Sequence, residues 1–511
     1  MGSVLYFART FAALACGEPG CCRGGYKLRR ERLPMRVRVL SEDQIKKLHD
    51  GSIEILSTVG VHIPHEEMRE RFRGAGAQVD ETAGIVKIPQ EVVMRCVESA
   101  GKAFTIYGRD RSKQAVFGAG QRNYNSIAGE ALWVEDGAVE RRYATLDDVR
   151  TAAILGDALK HVNIVGAMAD PKEIPAAYRC VAVAATQLKH TTKPITFWFH
   201  DRASAKYVLE LFAAVAGSEA EAARYPFGYP FLEPISPLKL PKDGVDLLFE
   251  TSRFPLPVPI GPMAQVGLSA PGTLAGTLCQ ENAEILAGVC VTQLIRPGTP
   301  VCYGGIPHAF DMHSMQMIFS GPEQALMAVA MTQMGKSYGL PVYINVGLTD
   351  SKVADAQAGL EAGITLACGA MAGADIFGHL GICGVDLGSS LSILVMQDEI
   401  IGYVERIMRD IDVSDEAMGL DVIRTVARTG SYIAEPHTVA HFRKELWFPK
   451  LLDRQFWEPW VEGGAKDMRQ RCIEAKEHLL RTHQPVPMDA DTEREVDRIV
   501  DAARRHLGGE E

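Results

Sequence analysis

No apolar run in the chain approaches the ~18 residues a helix needs to cross a bilayer, so no membrane partner is expected. Positive charge is in deficit: 54 Lys and Arg stand against 64 Asp and Glu, a formal net charge of −10. That balance lacks the basic footprint of nucleic-acid binding, and no nucleic acid is expected as a partner. The 11 cysteines are odd in number, scattered through apolar segments and without CxxC spacing. They read as reduced core thiols of a cytoplasmic enzyme. There is no GxSxG elbow, no HExxH pair and no phosphate loop, and no Gly-rich fingerprint opens a helix after a strand. Low-complexity segments are absent as well.

What is present is ordinary globular composition, 47% hydrophobic and 23% charged over 511 residues, enough for a large core. The first 34 residues stand apart. They hold Cys16, Cys21 and Cys22 and then a basic run from Lys27 to Arg32. A secretory signal places its basic residues before a longer apolar core, so this stretch reads as a disordered or mis-assigned start. Residues 35–142 read as an N-terminal α+β layer. Ser41 and Gln44 form a capping box ahead of a helix. Short strands are expected at 84–88, 104–107 and 115–118, and a hairpin at 133–139 turns at Asp136 and Gly137.

From Thr145 apolar strands alternate with helices. Strands are expected at 163–168, 195–200, 228–234, 258–265, 301–306, 342–347 and 375–380, with an eighth from 123–128 or from beyond Asp386. Helices are expected at 203–216, 273–293, 322–338 and 354–371. This alternation predicts a TIM (β/α)8 barrel over 143–400, with a doubly wound open sheet as the rival. Residues 401–511 read as a C-terminal helical extension packing on the barrel.

In such a barrel the chemistry sits where strands end. The polar residues there are His200, Glu233, Gln265, Tyr303, His308, Asp311, Asp350, Ser351, Lys352 and His379. A helix expected to start near Val353 would point N–H groups at Asp350, Ser351 and Lys352, forming a dock for an anion; capping of that helix by Asp350 or Ser351 is the competing reading. Trp198 and Tyr229 are placed to cage a quaternary ammonium by cation–π attraction, with plain core packing as the alternative. His308 and His313 lie five apart, the wrong spacing for paired helical ligands, and no metal site is expected.

Several ordered blocks carry more than spacing. They include APGTLAGTLCQENAEILAG at 270–288, RPGTPVCYGG at 296–305, GPEQAL at 321–326, TDSKVADAQAGLEAG at 349–363 and HTVAHFRKELWFP at 437–449. From about Met35 onward the chain resembles the trimethylamine methyltransferase family of corrinoid-dependent methyltransferases. The resemblance implies a TIM barrel that moves a methyl group from a small methylated amine to Co(I) of a corrinoid (cobalamin) carried on a separate corrinoid protein. The family blocks assign no roles; from their position at the strand ends Asp350, Ser351, Lys352 and Asp311 are expected as catalytic, with the other strand-end residues, Trp198 and Tyr229 binding substrate. The best-known members carry pyrrolysine; this chain reads through with standard residues, as do members that act on glycine betaine. His313 and Ala354 depart from the commoner Arg and Pro of the family. The competing readings are a non-catalytic barrel that binds a quaternary amine and a zinc-dependent methyltransferase acting on a thiol or alcohol. A homo-oligomer is expected.

Overall fold

The computed structural model describes residues 36–136, 140–428 and 430–508. The stretch 1–34, with its three cysteines, lies outside the described residues, as does part of the turn expected after Asp136.

The eight parallel strands of a barrel can be followed around a closed ring of hydrogen bonds. Asn123–Ser126 joins the second strand through an Asn125–Ile164 bridge. Val165–Gly166 pairs with Ile195–Thr196, and the Ile195 N–H donates to the Phe227 carbonyl. The fourth segment, 227–232, reaches the fifth strand through a Leu232–Ile260 bridge. Val258–Ile260 then pairs with Val301–Gly305, which pairs with Val342–Asn345, which pairs with Ile376–Leu380. Ile376–Leu380 returns to Asn123–Ser126 and shuts the ring. Each strand is followed by a helix, from Leu146–Ala158 round to Leu391–Ile407.

The strand that closes the barrel lies ahead of residue 143, where sequence patterning places the barrel's start. The reason is chemical. Its four residues, Asn-Tyr-Asn-Ser, are all buried and mostly polar, so they carry none of the apolar alternation that marks a strand. The strands expected at 104–107 and 115–118 pair as a hairpin, Phe104–Tyr107 with Gln114–Phe117, that also has a barrel role. Its Ile106, Ala115 and Phe117 join Ile164, Tyr229, Cys302, Ile306, Tyr343 and Ile376 in a separate apolar cluster. The hairpin therefore plugs the N-terminal end, and burying a ring such as Phe117 contributes about 2–3 kcal/mol. Access is left to the other end.

Two buried charges at the plugged end, Asp375 and Lys193, are fully partnered. The buried Asp375 accepts from the Gly118 N–H at 3.0 Å and the Val342 N–H at 2.8 Å, and it pairs with Lys336. Lys193 donates to the Gly156, Leu159 and Val162 carbonyls at 2.8, 2.6 and 2.7 Å, satisfying the open end of Leu146–Ala158. Beyond the barrel, Met468–Thr482 packs on Leu391–Ile407 and Ala490–Leu507 on Ala176–His190 and Arg202–Ala216. Val496, Ile499 and Ala503 make the buried stripe of the last helix at the 3–4 spacing of one face.

Candidate active site

Strand alternation decides which side chains enter the barrel. Cys302 points inward, so Tyr303 points out, and its hydroxyl donates to Asn282 Oδ1 on the surrounding helix at 2.8 Å. Tyr303 is thus not brought to the mouth. Tyr343 points in, and so by parity does Asn345 at the top of that strand. His379 breaks the alternation: its φ of 71° swings the ring toward the mouth. Gly378 beside it must lack a side chain, because a Cβ there would collide with the Tyr343 hydroxyl.

Four rings close a circuit under the mouth. Trp198 meets Phe231 with centroids 6.3 Å apart, Phe231 meets Tyr343 at 5.6 Å, Tyr343 meets His379 at 5.9 Å and His379 meets Trp198 at 6.1 Å. All four contacts are edge-to-face, the arrangement ring quadrupoles favour. The Trp198 indole N–H donates to the Gly129 carbonyl at 2.8 Å, which holds its ring in place. Trp198, His200, Phe231, Glu233 and Gln265 line a cavity of about 520 Å³.

Carboxyl groups surround this floor. Glu130 follows the first strand, Glu233 the fourth, and Asp386 lies in the loop after the eighth. Burial lifts the Glu130 carboxyl well above the ordinary carboxylate range, and the charges of Asp386 and Asp170 lift it further. Asp386 is raised by burial and then by Glu233. Glu233 is raised by burial alone, although its surface is largely exposed; water in the cavity screens that rise, so its shift is the smallest in effect. Among the described residues, none of these three carboxyl groups has a hydrogen bond or ion pair. Asp170 differs, being paired with Arg179 at 2.7 Å, with His200 Nε2 3.8 Å away. The loop carrying Asp386 runs through three consecutive positive φ angles at Gly384, Val385 and Asp386, 63°, 62° and 60°. For the two side-chain-bearing residues that is a strained backbone.

Two histidines, His379 in the floor and His308 beside it, are neutral. Burial pushes His379 down to about 4, and burial with the neighbouring His379 pushes His308 down to about 3. His308 stacks on Phe319 at 4.6 Å, and neither of its ring nitrogens has a partner. Asn125 Oδ1, Asn345 Oδ1 and the Tyr229 hydroxyl are likewise buried and unpaired within the barrel. The buried Glu281 accepts from the Ala264 and Ile306 N–H groups at 3.1 and 2.9 Å, tying together the strand ends that carry Gln265 and His308.

The remaining expected site residues lie elsewhere. Asp350 Oδ1 accepts from the Phe319 N–H at 3.0 Å, and the Ser351 hydroxyl donates to Asp355 at 2.9 Å. The helix expected near Val353 begins at Ala356, because Asp355 caps it by accepting from the Ala358 N–H. Its N-terminus already faces one of the chain's own carboxylates. Lys352 donates to the Asp350 carbonyl at 2.8 Å and, with Arg141 and Arg469, lines a neighbouring cavity of about 730 Å³. Asp311 serves a turn, accepting from the His313 N–H at 2.8 Å and the Ser314 hydroxyl at 2.6 Å. Glu130, Asp170 and Asp386 escape the sequence reading. For Asp170 a signal was available: it is the first carboxylate after an apolar stretch ending a barrel strand, whereas Glu130 follows the polar Asn123–Ser126 strand. Nothing local marks Asp386. Among the described residues no three His, Cys, Asp or Glu gather as metal ligands.

A closed (β/α)8 barrel, plugged at one end and polar at the mouth, is the architecture of a barrel enzyme. The trimethylamine methyltransferase (MTTB) family model matches residues 25–508, and the chain belongs to that family. The match begins ten residues ahead of Met35. The trimethylamine methyltransferase MttB of Desulfitobacterium hafniense is 29% identical over 92% of this chain and 94% of its own length. A glycine betaine methyltransferase from another strain of that species is 29% identical over 93% of this chain and 99% of its own. The solved monomethylamine methyltransferase of Methanosarcina barkeri aligns at 12% identity over 91% of this chain and 92% of its own, with a TM-score of 0.48. The protein is a methyltransferase.

Proposed function

We propose that this methyltransferase takes a methyl group from a quaternary or tertiary methylated amine and passes it to Co(I) of a corrinoid held by a separate corrinoid protein. The observation that carries the reading is the edge-to-face circuit of Trp198, Phe231, Tyr343 and His379 beneath unpaired carboxyl groups. Rings offer their negative faces to an ammonium, and carboxylates offset its charge. In the transfer the cobalt electron pair forms the bond to carbon. The C–N bond breaks, and its pair stays on nitrogen. A quaternary donor leaves as a neutral tertiary amine, so no general acid is required. The chain's task is to hold the cation, aim one N–CH3 out of the mouth and keep water away. The plugged N-terminal end leaves the mouth as the face from which the acceptor approaches.

The test is methylcobalamin formation from reduced cob(I)alamin with a panel of quaternary and tertiary amines, followed by absorbance and repeated with a corrinoid protein. Methylcobalamin with at least one amine supports the reading. Tight amine binding with no transfer under either condition favours the non-catalytic barrel. We also propose a homo-oligomer. Ile411, Ile433, Phe456 and Trp457 are more than two-thirds exposed in the C-terminal extension, where water would be displaced by a second copy. A monomer by light scattering would contradict that.

A further inference from the structure

We propose that the donor is a methylated ammonium cation without an acidic group, of choline type, and that short zwitterionic betaines are rejected at this mouth. The inference rests on the methyltransferase reading above and names the substrate class of that same site.

Three independent strand ends deliver Glu130, Glu233 and Asp386 to one opening, where Glu130 feels the charge of Asp386 and Asp386 that of Glu233. Among the described residues nothing basic pairs with any of them. Arg179, beside Asp170, is already spent on that carboxylate. Arg and Lys are absent from the described lining of the aromatic cavity. Deeper in, the unpaired buried groups include oxygens and one neutral imidazole: Asn345 Oδ1, Asn125 Oδ1, the Tyr229 hydroxyl and His308. Such a surface attracts a positive charge and accepts hydrogen bonds from a hydroxyl. It holds no cation to receive a carboxylate. A short betaine carries its carboxylate only a few bonds from the ammonium, so seating the ammonium on the rings would add one more acid to a group already crowded with them. Like charges so placed disfavour binding.

The basic groups in the vicinity do not repair this. Arg141, Lys352 and Arg469 line the other cavity, across the 384–386 loop. Arg141 donates to the Leu387 carbonyl at 3.0 Å and Lys352 to the Asp350 carbonyl at 2.8 Å. Only a zwitterion long enough to straddle the loop would meet them.

The experiment is calorimetric titration of the full-length protein with choline, tetramethylammonium, glycine betaine and a long-chain betaine, in two buffers of different ionisation enthalpy. The same four compounds are run in the methylcobalamin assay. The expected result is that choline or tetramethylammonium binds at least about tenfold tighter than glycine betaine, tenfold corresponding to about 1.4 kcal/mol. Cation binding should also release protons, seen as a buffer-dependent heat. Glu233→Gln and Asp386→Asn should narrow the preference. Glycine betaine binding as tightly as choline and being turned over would overturn this proposal and leave the methyltransferase reading standing. Turnover of the long-chain betaine alone would also overturn it, placing the carboxylate in the basic cavity. Failure of every methylated amine to bind or react would sink both.

Discussion

The two ends of the barrel treat buried charge in opposite ways. At the plugged end Asp157 is pushed up by burial, but two Thr192 groups, His483 and Thr191 hydrogen-bond to it and pull it below the ordinary carboxylate range. Asp375 and Lys193 there are equally saturated with partners. At the mouth Glu130 and Asp386 are pushed up by the same burial, and nothing pulls them back. Partnered charge is architecture, since it ties backbone segments together. An unpartnered buried carboxyl instead keeps its proton in the empty fold and gives it up when a cation arrives. The same residue types therefore mean different things according to whether the chain supplies their counterpart.

Breaking the plugged end should give the largest effect. Asp375→Ala leaves Lys336 and two backbone N–H groups without their acceptor and should cost about 3–5 kcal/mol in chemical denaturation, with activity per folded molecule retained. Trp198→Ala should act the other way round. Removing one face of the floor should raise the amine concentration needed for half-maximal turnover about thirtyfold, from about 2 kcal/mol of desolvated cation–π attraction, while the melting temperature moves little. A melt shift as large as that of Asp375→Ala would make Trp198 a packing residue and dissolve the contrast.

The sign of the pH effect sharpens it further. Glu130 has a raised folded-state pKa, so between its unfolded value and that raised value the folded chain binds the extra proton. Stability of the ligand-free protein therefore falls as pH climbs from the carboxylate range toward alkaline, and Glu130→Gln should flatten the fall. Amine affinity should rise over the same interval, because the ionised carboxyls are the binding form. Thermal melts from pH 5 to 9, with and without choline, measure both slopes; parallel slopes in wild type and variant would contradict the assignment. Smaller effects are expected away from both ends. Tyr303→Phe loses one bond to Asn282 and should cost about 1 kcal/mol without touching turnover. Lys352→Ala should change the half-saturating concentration of a cationic donor less than about twofold, since the ammonium caps its own loop. A rise of tenfold would restore the anion dock at that loop.

Sequence reading of strand-end position is most direct where geometry is local. Trp198, His200, Glu233 and Gln265 follow strands of clear apolar character, and all four line one cavity. It missed Tyr303's direction because alternation sets only relative facing; which parity is inward depends on the neighbours, here Cys302 in the barrel interior. It placed the helix start three residues early because Asp355 was overlooked as the cap in favour of Asp350 and Ser351. The first strand was legible only as one of two candidates for the eighth, since Asn-Tyr-Asn-Ser looks like a loop until its backbone is paired.

Sequence by itself determined the alternation of strands and helices, the polar character of the strand ends and the family blocks, because periodicity and short motifs are written in neighbouring residues. Closure of the ring, the hairpin plug and the meeting of Glu130, Glu233 and Asp386 were decided only by tertiary structure. Those carboxyls are separated by 103 and 153 positions along the chain. Their mutual repulsion and their want of partners exist only where the curvature of a closed sheet brings its strand ends to one opening.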